Sequence, residues 1–473
     1  PQAAAVFGAA HTTDWVVFDE EPQLARLDLA LAQLWGVEGL ASDPPARNEP
    51  PLADLDVLTA PAADDAAPLI SGGVPFPRGA LTDPGNVRLR RNGVDIPLQT
   101  KVTGWWPDHS IKWLLLTFPA DGGAVQGASG AGDALTFALT RRNADSQQYR
   151  LDFGGSARPG IPAQALRAVQ NADTVSIDTG PLQLQVTKGP QWLSQVKLNG
   201  RDLLTGGVRS FVDFLRTDNS YVTQSTHGQG TLDDGTFVPA SIELEEAGPL
   251  RATVRLEGYT NSQEPTRLIV RIQAYAGRSV VRVFQSAEFL HSDVRVAYVR
   301  RMGLELPVAG MPTATVTAGG QDGPVALGAG VRAGLTQHSH LGYRAWHQAE
   351  GEHFLREDEV KHRAQGWLDV TGADGGVTVM LRDMWQQFPN ELVADRRAGQ
   401  LRALLWPESG PVMDVRRYSN YPHRSQGESA GSSSNWVETE YYGVAQFAGI
   451  SKTHELLLYF HGPDVGAERI AAV

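Results

Sequence analysis

With 473 residues, 41% of them hydrophobic, the chain is long enough for two or three domains, and its lack of cysteine excludes disulfides, thiolate zinc sites and a cysteine nucleophile. A formal charge of -12 is spread along the chain instead of being gathered in blocks, so the concentrated basic face that nucleic acid or an anionic membrane requires is missing. No run approaches the roughly 20 apolar residues of a transmembrane helix, and we expect neither nucleic acid nor membrane as a partner.

The sequence starts at Pro1, and Ala3, Ala4 and Ala5 suit the neighbourhood of a removed export signal, which sets the expectation of a secreted or periplasmic protein; a truncated start explains the same beginning. Between Pro22 and Gly36, Leu24, Leu27, Leu31 and Leu34 share one helical stripe, with Gly36 placed to end it. From Asp43 to Pro68 the chain is rich in Pro, Ala and Asp without apolar periodicity, so residues 1–65 read as a short helix and an extended linker or a strap lying over another domain.

Beyond residue 66 the period becomes alternating. Val87 and Leu89 lead into Asn92-Gly93, and Val94, Ile96 and Leu98 lead away, the pattern of a tight hairpin. The stretch Trp105-Trp106-Pro107-Asp108-His109-Ser110-Ile111-Lys112-Trp113 then carries three of the eleven tryptophans at a turn feeding the apolar run Leu114, Leu115, Leu116 and Phe118. Trp113 is expected in the core. Trp105 and Trp106 point oppositely, leaving one for a sugar or another domain, and Asp108 and Ser110 read as turn residues bonding local backbone. A boundary near Gly154–Pro162 closes a small β-barrel over 66–163.

From residue 166 onward alternating strands continue: Leu182, Leu184, Val186; Val196 and Leu198 before a second Asn199-Gly200; Val254, Leu256; Leu268, Val270, Ile272; Val377, Val379, Leu381; Leu456, Leu458, Phe460. Helical crossovers are missing between them, so parallel sheets are disfavoured and 166–473 reads as a large antiparallel β-sandwich. The fold class is all-β, with no fixed-period repeat.

Several ordered motifs carry a resemblance: Gly73-Val74-Pro75-Phe76-Pro77-Arg78-Gly79, Val102 to Trp113, Gly248-Pro249-Leu250-Arg251, Ala274-Tyr275-Ala276-Gly277, Arg382-Asp383-Met384-Trp385-Gln386-Gln387-Phe388-Pro389, Leu405-Trp406-Pro407 and Lys452-Thr453-His454-Glu455-Leu456. Over roughly 66–465 the chain resembles the exo-rhamnogalacturonan lyase-like family, first its N-terminal barrel and then its central β-sandwich. The resemblance implies β-elimination on uronate-containing plant polysaccharide. It also implies a further, mainly helical domain beyond the Lys452–Glu455 strand, whereas the sequence stops at Val473.

Such a reaction needs a base for the proton α to the carboxylate, a cation for the enolate-like charge and often an acid. Five of the twelve histidines cluster from His338-Ser339-His340 to His347, His353 and His362; on a strand His338 and His340 would face one side as base and partner or as a metal pair, and the alternative is a surface or loop cluster without chemistry. The helical HExxH spacing is absent and no third ligand is specified, so no metal is expected. Arg382, Trp385 and Gln386 offer stacking and amide bonds to a sugar; the alternative is that Trp385 and Phe388 plug the sandwich end while Arg382 pairs with an acid. Arg416 and Tyr418 combine a carboxylate-gripping guanidinium with a phenol as electrophile and base, or mark a charged edge strand. Lys452 and His454 share one face of their strand and line a cleft, unless His454 is simply buried.

The sequence carries no P-loop and no Gly-x-Ser-x-Gly elbow, so no cofactor is expected. Polysaccharide lyase is the leading function, with a polysaccharide or oligosaccharide as partner. A noncatalytic carbohydrate-binding or structural module and a glycoside hydrolase are the competing classes.

Overall fold

The structure is a computed structural model describing residues 54–57, 69–119, 125–130, 132–141, 147–216, 230–263, 265–290, 298–414 and 448–473. The helix expected over Pro22–Gly36, and the candidates Arg416 and Tyr418, lie outside them.

Strands dominate throughout, as the alternating pattern predicts. The chain divides into two compact units, one of Pro1–Ala165 with Gly248–Arg251, the other of Leu166–Ala247 with Ala252–Val473.

In the first unit a five-stranded sheet runs in the order Asp54–Val57, Asp133–Arg141, Gln147–Phe153, Val87–Arg91, Val94–Ile96. A three-stranded sheet runs Leu69–Pro75, Ile111–Pro119, Gln99–Trp105. Alternate residues of both sheets, among them Val87, Leu89, Leu151, Leu114, Leu116 and Phe118, meet in one core with Phe76 and Tyr149. Asn92 and Gly93 take the positive φ values (50° and 82°) that their hairpin turn requires.

Two expectations need correction. Asp54–Val57 belongs to the sheet, paired in parallel with Asp133–Arg141, although the segment reads as linker. Four residues flanked by proline and alanine are too short to show a period. Trp113 is half-buried and outside the core: it faces away from Leu114 and lies over two glycines, 3.7 Å from where a Cβ of Gly73 would stand and 3.2 Å from that of Gly104.

The second unit is a sandwich. Sheet A has the order Thr231–Asp233, Arg209–Arg216, Tyr298–Pro307, Gln400–Trp406, Asn390–Asp395, Arg332–Ser339, Gly342–Gln348, Arg356–Lys361, with Met413–Asp414 also on Tyr298–Pro307. Sheet B has the order Phe237–Ala247, Arg251–Thr260, Arg267–Tyr275, Val280–Phe289, Ile450–His461, Gly375–Leu381, Trp367–Gly372, Thr315–Gly320, Gly323–Ala326. Their facing residues, including Val212, Leu304, Leu335, Leu392 and Ala403 from A and Val254, Val270, Val283, Leu368, Val379 and Leu458 from B, form one continuous core.

A smaller five-stranded sheet from Arg167–Asn171 to Arg201–Asp202 adds Val175, Leu184 and Trp192 to that core. Its Gln170 side chain donates to the Ile242 carbonyl and accepts from the Leu244 amide, capping the exposed edge of sheet B.

Candidate functional site

The expected site residues are best understood from one buried amide. Gln337, fully buried near the end of a sheet A strand, donates through Nε2 to the carbonyls of Ser339 (2.7 Å), Gly342 (3.1 Å) and His362 (3.0 Å), and its Oε1 accepts from the Ala364 amide (3.0 Å). One side chain therefore holds the turn after its own strand and the loop at 362–364. Polar groups taken out of water at a loop base need such partners.

The strand ends at Ser339, and the pairing slips between Gln337 and Ser339. As a result His338 and His340 do not occupy consecutive same-face strand positions. His338 lies across Gly342, where a Cβ would stand 2.5 Å from its Nε2. His340 sits beyond the strand with its ring 5.9 Å from that of Phe388. Both imidazoles are exposed.

Phe388 comes from the loop after Gly375–Leu381. Asp383 turns that loop with φ 54°, its carbonyl accepts from the amides of Gln386 and Gln387, and the Asn390 side chain donates 2.8 Å to the Met384 carbonyl. Trp385 is half-buried, with the exposed Arg363 guanidinium stacked 4.1 Å from its ring centre. His340, Arg363, Trp385 and Phe388 thus gather on neighbouring loops, with the exposed Gln386 beside them and Leu341 (53%) and Phe388 (39%) open to solvent. Aromatic faces stack on the C–H faces of sugars, a guanidinium pairs with a carboxylate, and an imidazole can accept or donate a proton.

Arg382 is engaged differently. It and Arg282 both pair with Glu455, at 3.2 Å in the case of Arg382, so its charge is shared with a partly buried carboxylate on sheet B. Lys452 is exposed. His454 is buried, because alternation points it the same way as Leu456 and Leu458, into the sandwich. Burial, and secondarily the charge of Lys452, push its pKa down to about 3. His454 therefore does not line a cleft with Lys452. Opposite it, Gln285 accepts from Ser210, whose hydroxyl also receives the Trp192 indole N–H.

In the first unit the tryptophan stretch forms a tight turn. The Trp106 amide donates to the Ser110 carbonyl and the His109 amide to that of Trp106. Asp108 accepts from the Ser110 hydroxyl (2.6 Å) and amide and from Arg78 (2.9 Å), and these bonds, Ser110 first, hold its carboxyl down at about 2. Trp106 donates its indole N–H to the Phe76 carbonyl under the Lys112 ammonium, while Trp105 is 53% exposed. Trp105 is the free member of the pair.

Residues absent from the sequence reading are Gln337, Arg363 and an acid on the outer face of sheet A, Glu391. That acid was visible in principle, since Glu391 interrupts the apolar run Leu392-Val393-Ala394 that a strand buries. Among the described residues no group of three or more His, Asp or Glu is placed to hold a metal ion, and no helix is long and apolar enough to cross a membrane.

Two family models match the chain. That of the PcRGLX-like protein central beta sandwich domain covers residues 166–314 and 334–473, and that of the PcRGLX-like N-terminal RIFT barrel domain covers 54–129. The Bacillus subtilis (strain 168) protein YetA is 21% identical over 456 residues, covering 84% of this chain and 48% of its own, so the chain spans about half the length of this curated relative. Among solved structures, an alpha-mannosidase from Enterococcus faecalis V583 aligns with a TM-score of 0.42 at 12% identity, over 83% of this chain and 41% of that one. A galactose 1-epimerase from Lactobacillus acidophilus NCFM aligns at 0.30 and 6% identity, over 70% and 99%.

Proposed function

The chain belongs to the PcRGLX-like protein family, and from that membership we propose that it is a polysaccharide lyase-like protein, secreted or periplasmic, acting by β-elimination on a uronate-containing plant polysaccharide of the rhamnogalacturonan type. The observation that carries the proposal is the set of loops tied down by Gln337 and Asn390, which presents His338, His340, Arg363, Trp385 and Phe388 on one unit. Loops fixed at their bases keep exposed side chains in register for a ligand.

In the proposed reaction an imidazole of this group accepts the proton at C5 of the uronate. The electron pair left behind forms the C4–C5 double bond as the C4–O bond breaks, and the departing oxygen takes up a proton from an acid or from water. A guanidinium beside the carboxylate stabilises the charge that develops on it.

A noncatalytic carbohydrate-binding role has one specific observation in its favour, the exposed Trp105 on the first unit. Incubation with rhamnogalacturonan separates the readings. The lyase produces ultraviolet absorbance from unsaturated uronate, whereas binding without absorbance supports the module and reducing sugar without absorbance indicates hydrolysis.

A further inference from the structure

We propose that the outer face of sheet A carries a carboxylate-binding site in which Arg344 and Arg332 grip the acid group of a sugar beside the buried Glu391. The inference rests on the reading of the ligand as an acidic glycan and assigns the residues that recognise its charge.

Strand register builds the site. Thr336 is paired with Glu391 on one side and Arg344 on the other, Gly334 with Val393 and Trp346, and Arg332 with Asp395 and Gln348. Side chains at i and i+2 share a face, so Arg332, Thr336, Arg344, Trp346 and Glu391 lie together on the side away from the sandwich core. Trp346 lies across Gly334, where a Cβ would come within 2.7 Å of the indole. Its N–H donates to the Thr336 hydroxyl (2.8 Å), which in turn donates to Glu391 (2.5 Å).

The charges here do not close on one another. Elsewhere on the same face arginines are paired directly: Arg209 with Glu305 at 2.6 Å, Arg402 with Glu305 at 3.2 Å and Arg301 with Asp213 at 2.5 Å. Glu391 is 3% exposed and forms no ion pair with Arg332 or Arg344. Burial pushes its carboxyl up, against the lowering influence of the Thr336 hydroxyl, of both arginines and of the Ser409 hydroxyl.

Arg332 reaches Asp395 only at 3.8 Å, and Arg344 has no ion pair among the described residues. The Nε of each is buried without a hydrogen-bond partner. Two guanidinium groups that flank Trp346 along the strands and act on Glu391 without an ion pair to it match a ligand that brings its own carboxylate. His338 lies over Gly342, two residues from Arg344 on the same strand face, so a sugar held here by its acid group extends toward the exposed imidazoles.

Calorimetric titration with a galacturonate–rhamnose tetrasaccharide and its carboxyl-reduced counterpart tests the site. The unaltered protein is expected to bind the acidic sugar at least about ten-fold more tightly than the reduced one. Arg344→Gln should bring the two affinities within about two-fold, and Arg344→Lys, which keeps the charge but not the fork, should fall between. Phe388→Ala should weaken both sugars alike. Retention of the full preference by folded Arg344→Gln and Arg332→Gln proteins overturns the site while leaving the glycan reading intact. Binding of both sugars without preference does the same, and binding of neither overturns both.

Discussion

Gln337 and Asn390 are register partners on adjacent strands of sheet A, and each spends its buried side-chain amide on a loop instead of on the other. Gln337 holds the carbonyls of Ser339, Gly342 and His362, and Asn390 holds that of Met384. Between them they fix the loops that carry His340, Arg363, Trp385 and Phe388.

Replacing Gln337 with Leu strands three carbonyls and one amide at once. The expected cost is about 3 kcal/mol, typical of a broken buried hydrogen-bond network. Urea unfolding gives the magnitude. Faster proteolytic cleavage within 338–342 and 362–366 would show that the loss is local to the loops.

His454 predicts an acid-sensitive sandwich. Its folded-state pKa of about 3 lies below the ordinary 6.5, so the folded state resists a proton that the unfolded chain takes up. Stability from this group is complete above pH 6.5 and is lost as pH falls toward 3, with a total on the order of a few kcal/mol. His454→Leu, which cannot titrate, should flatten the decline in unfolding free energy between pH 7 and pH 4.

Glu391 predicts the opposite slope. Burial raises its folded-state pKa above the ordinary 4.5, so the folded state holds its proton longer than the unfolded chain. The group favours folding below that value and penalises it progressively as pH rises to the folded pKa. Glu391→Gln lacks the titration and keeps the hydrogen bond to Thr336. Its melting temperature relative to the unaltered protein should therefore rise from pH 4.5 upward and then level off, and a pH-independent difference would contradict the assignment.

Gly248 explains one motif in the first unit. The Gln99 side chain accepts from the amides of Leu250 (2.9 Å) and Arg251 (2.8 Å) and donates to the Arg251 carbonyl (3.0 Å). A Cβ on Gly248 would stand 1.9 Å from Gln99 Cδ. Gly248→Ala should cost about 2 kcal/mol by displacing that amide, and Gly248→Ala combined with Gln99→Ala should cost less than the sum of the two single changes.

The fold was legible where alternation runs long. Val87 to Leu98 with Asn92-Gly93, and Leu456 to Phe460, declare strands because period-two burial is imposed by the pleat itself. Asp54–Val57 was not legible, since four residues carry no period. Trp113 misled because its neighbours in sequence are core residues, while its own place depends on two glycines, Gly73 and Gly104, on adjacent strands.

The candidate site was legible only in part. His340, Trp385 and Gln386 stand out by residue type, and the structure brings their loops together. His454 looked equally chemical, yet the alternation that paired it with Lys452 also carries it inward. Gln337, Arg344 and Glu391 act through cross-strand partners distant in sequence, so register alone reveals them.

The most direct measurement is a crystal structure with a bound galacturonate–rhamnose tetrasaccharide. The account predicts a sugar ring against Phe388 or Trp385 and its carboxylate on Arg344. A sugar bound elsewhere, with His338, Arg344 and Phe388 untouched, would contradict it.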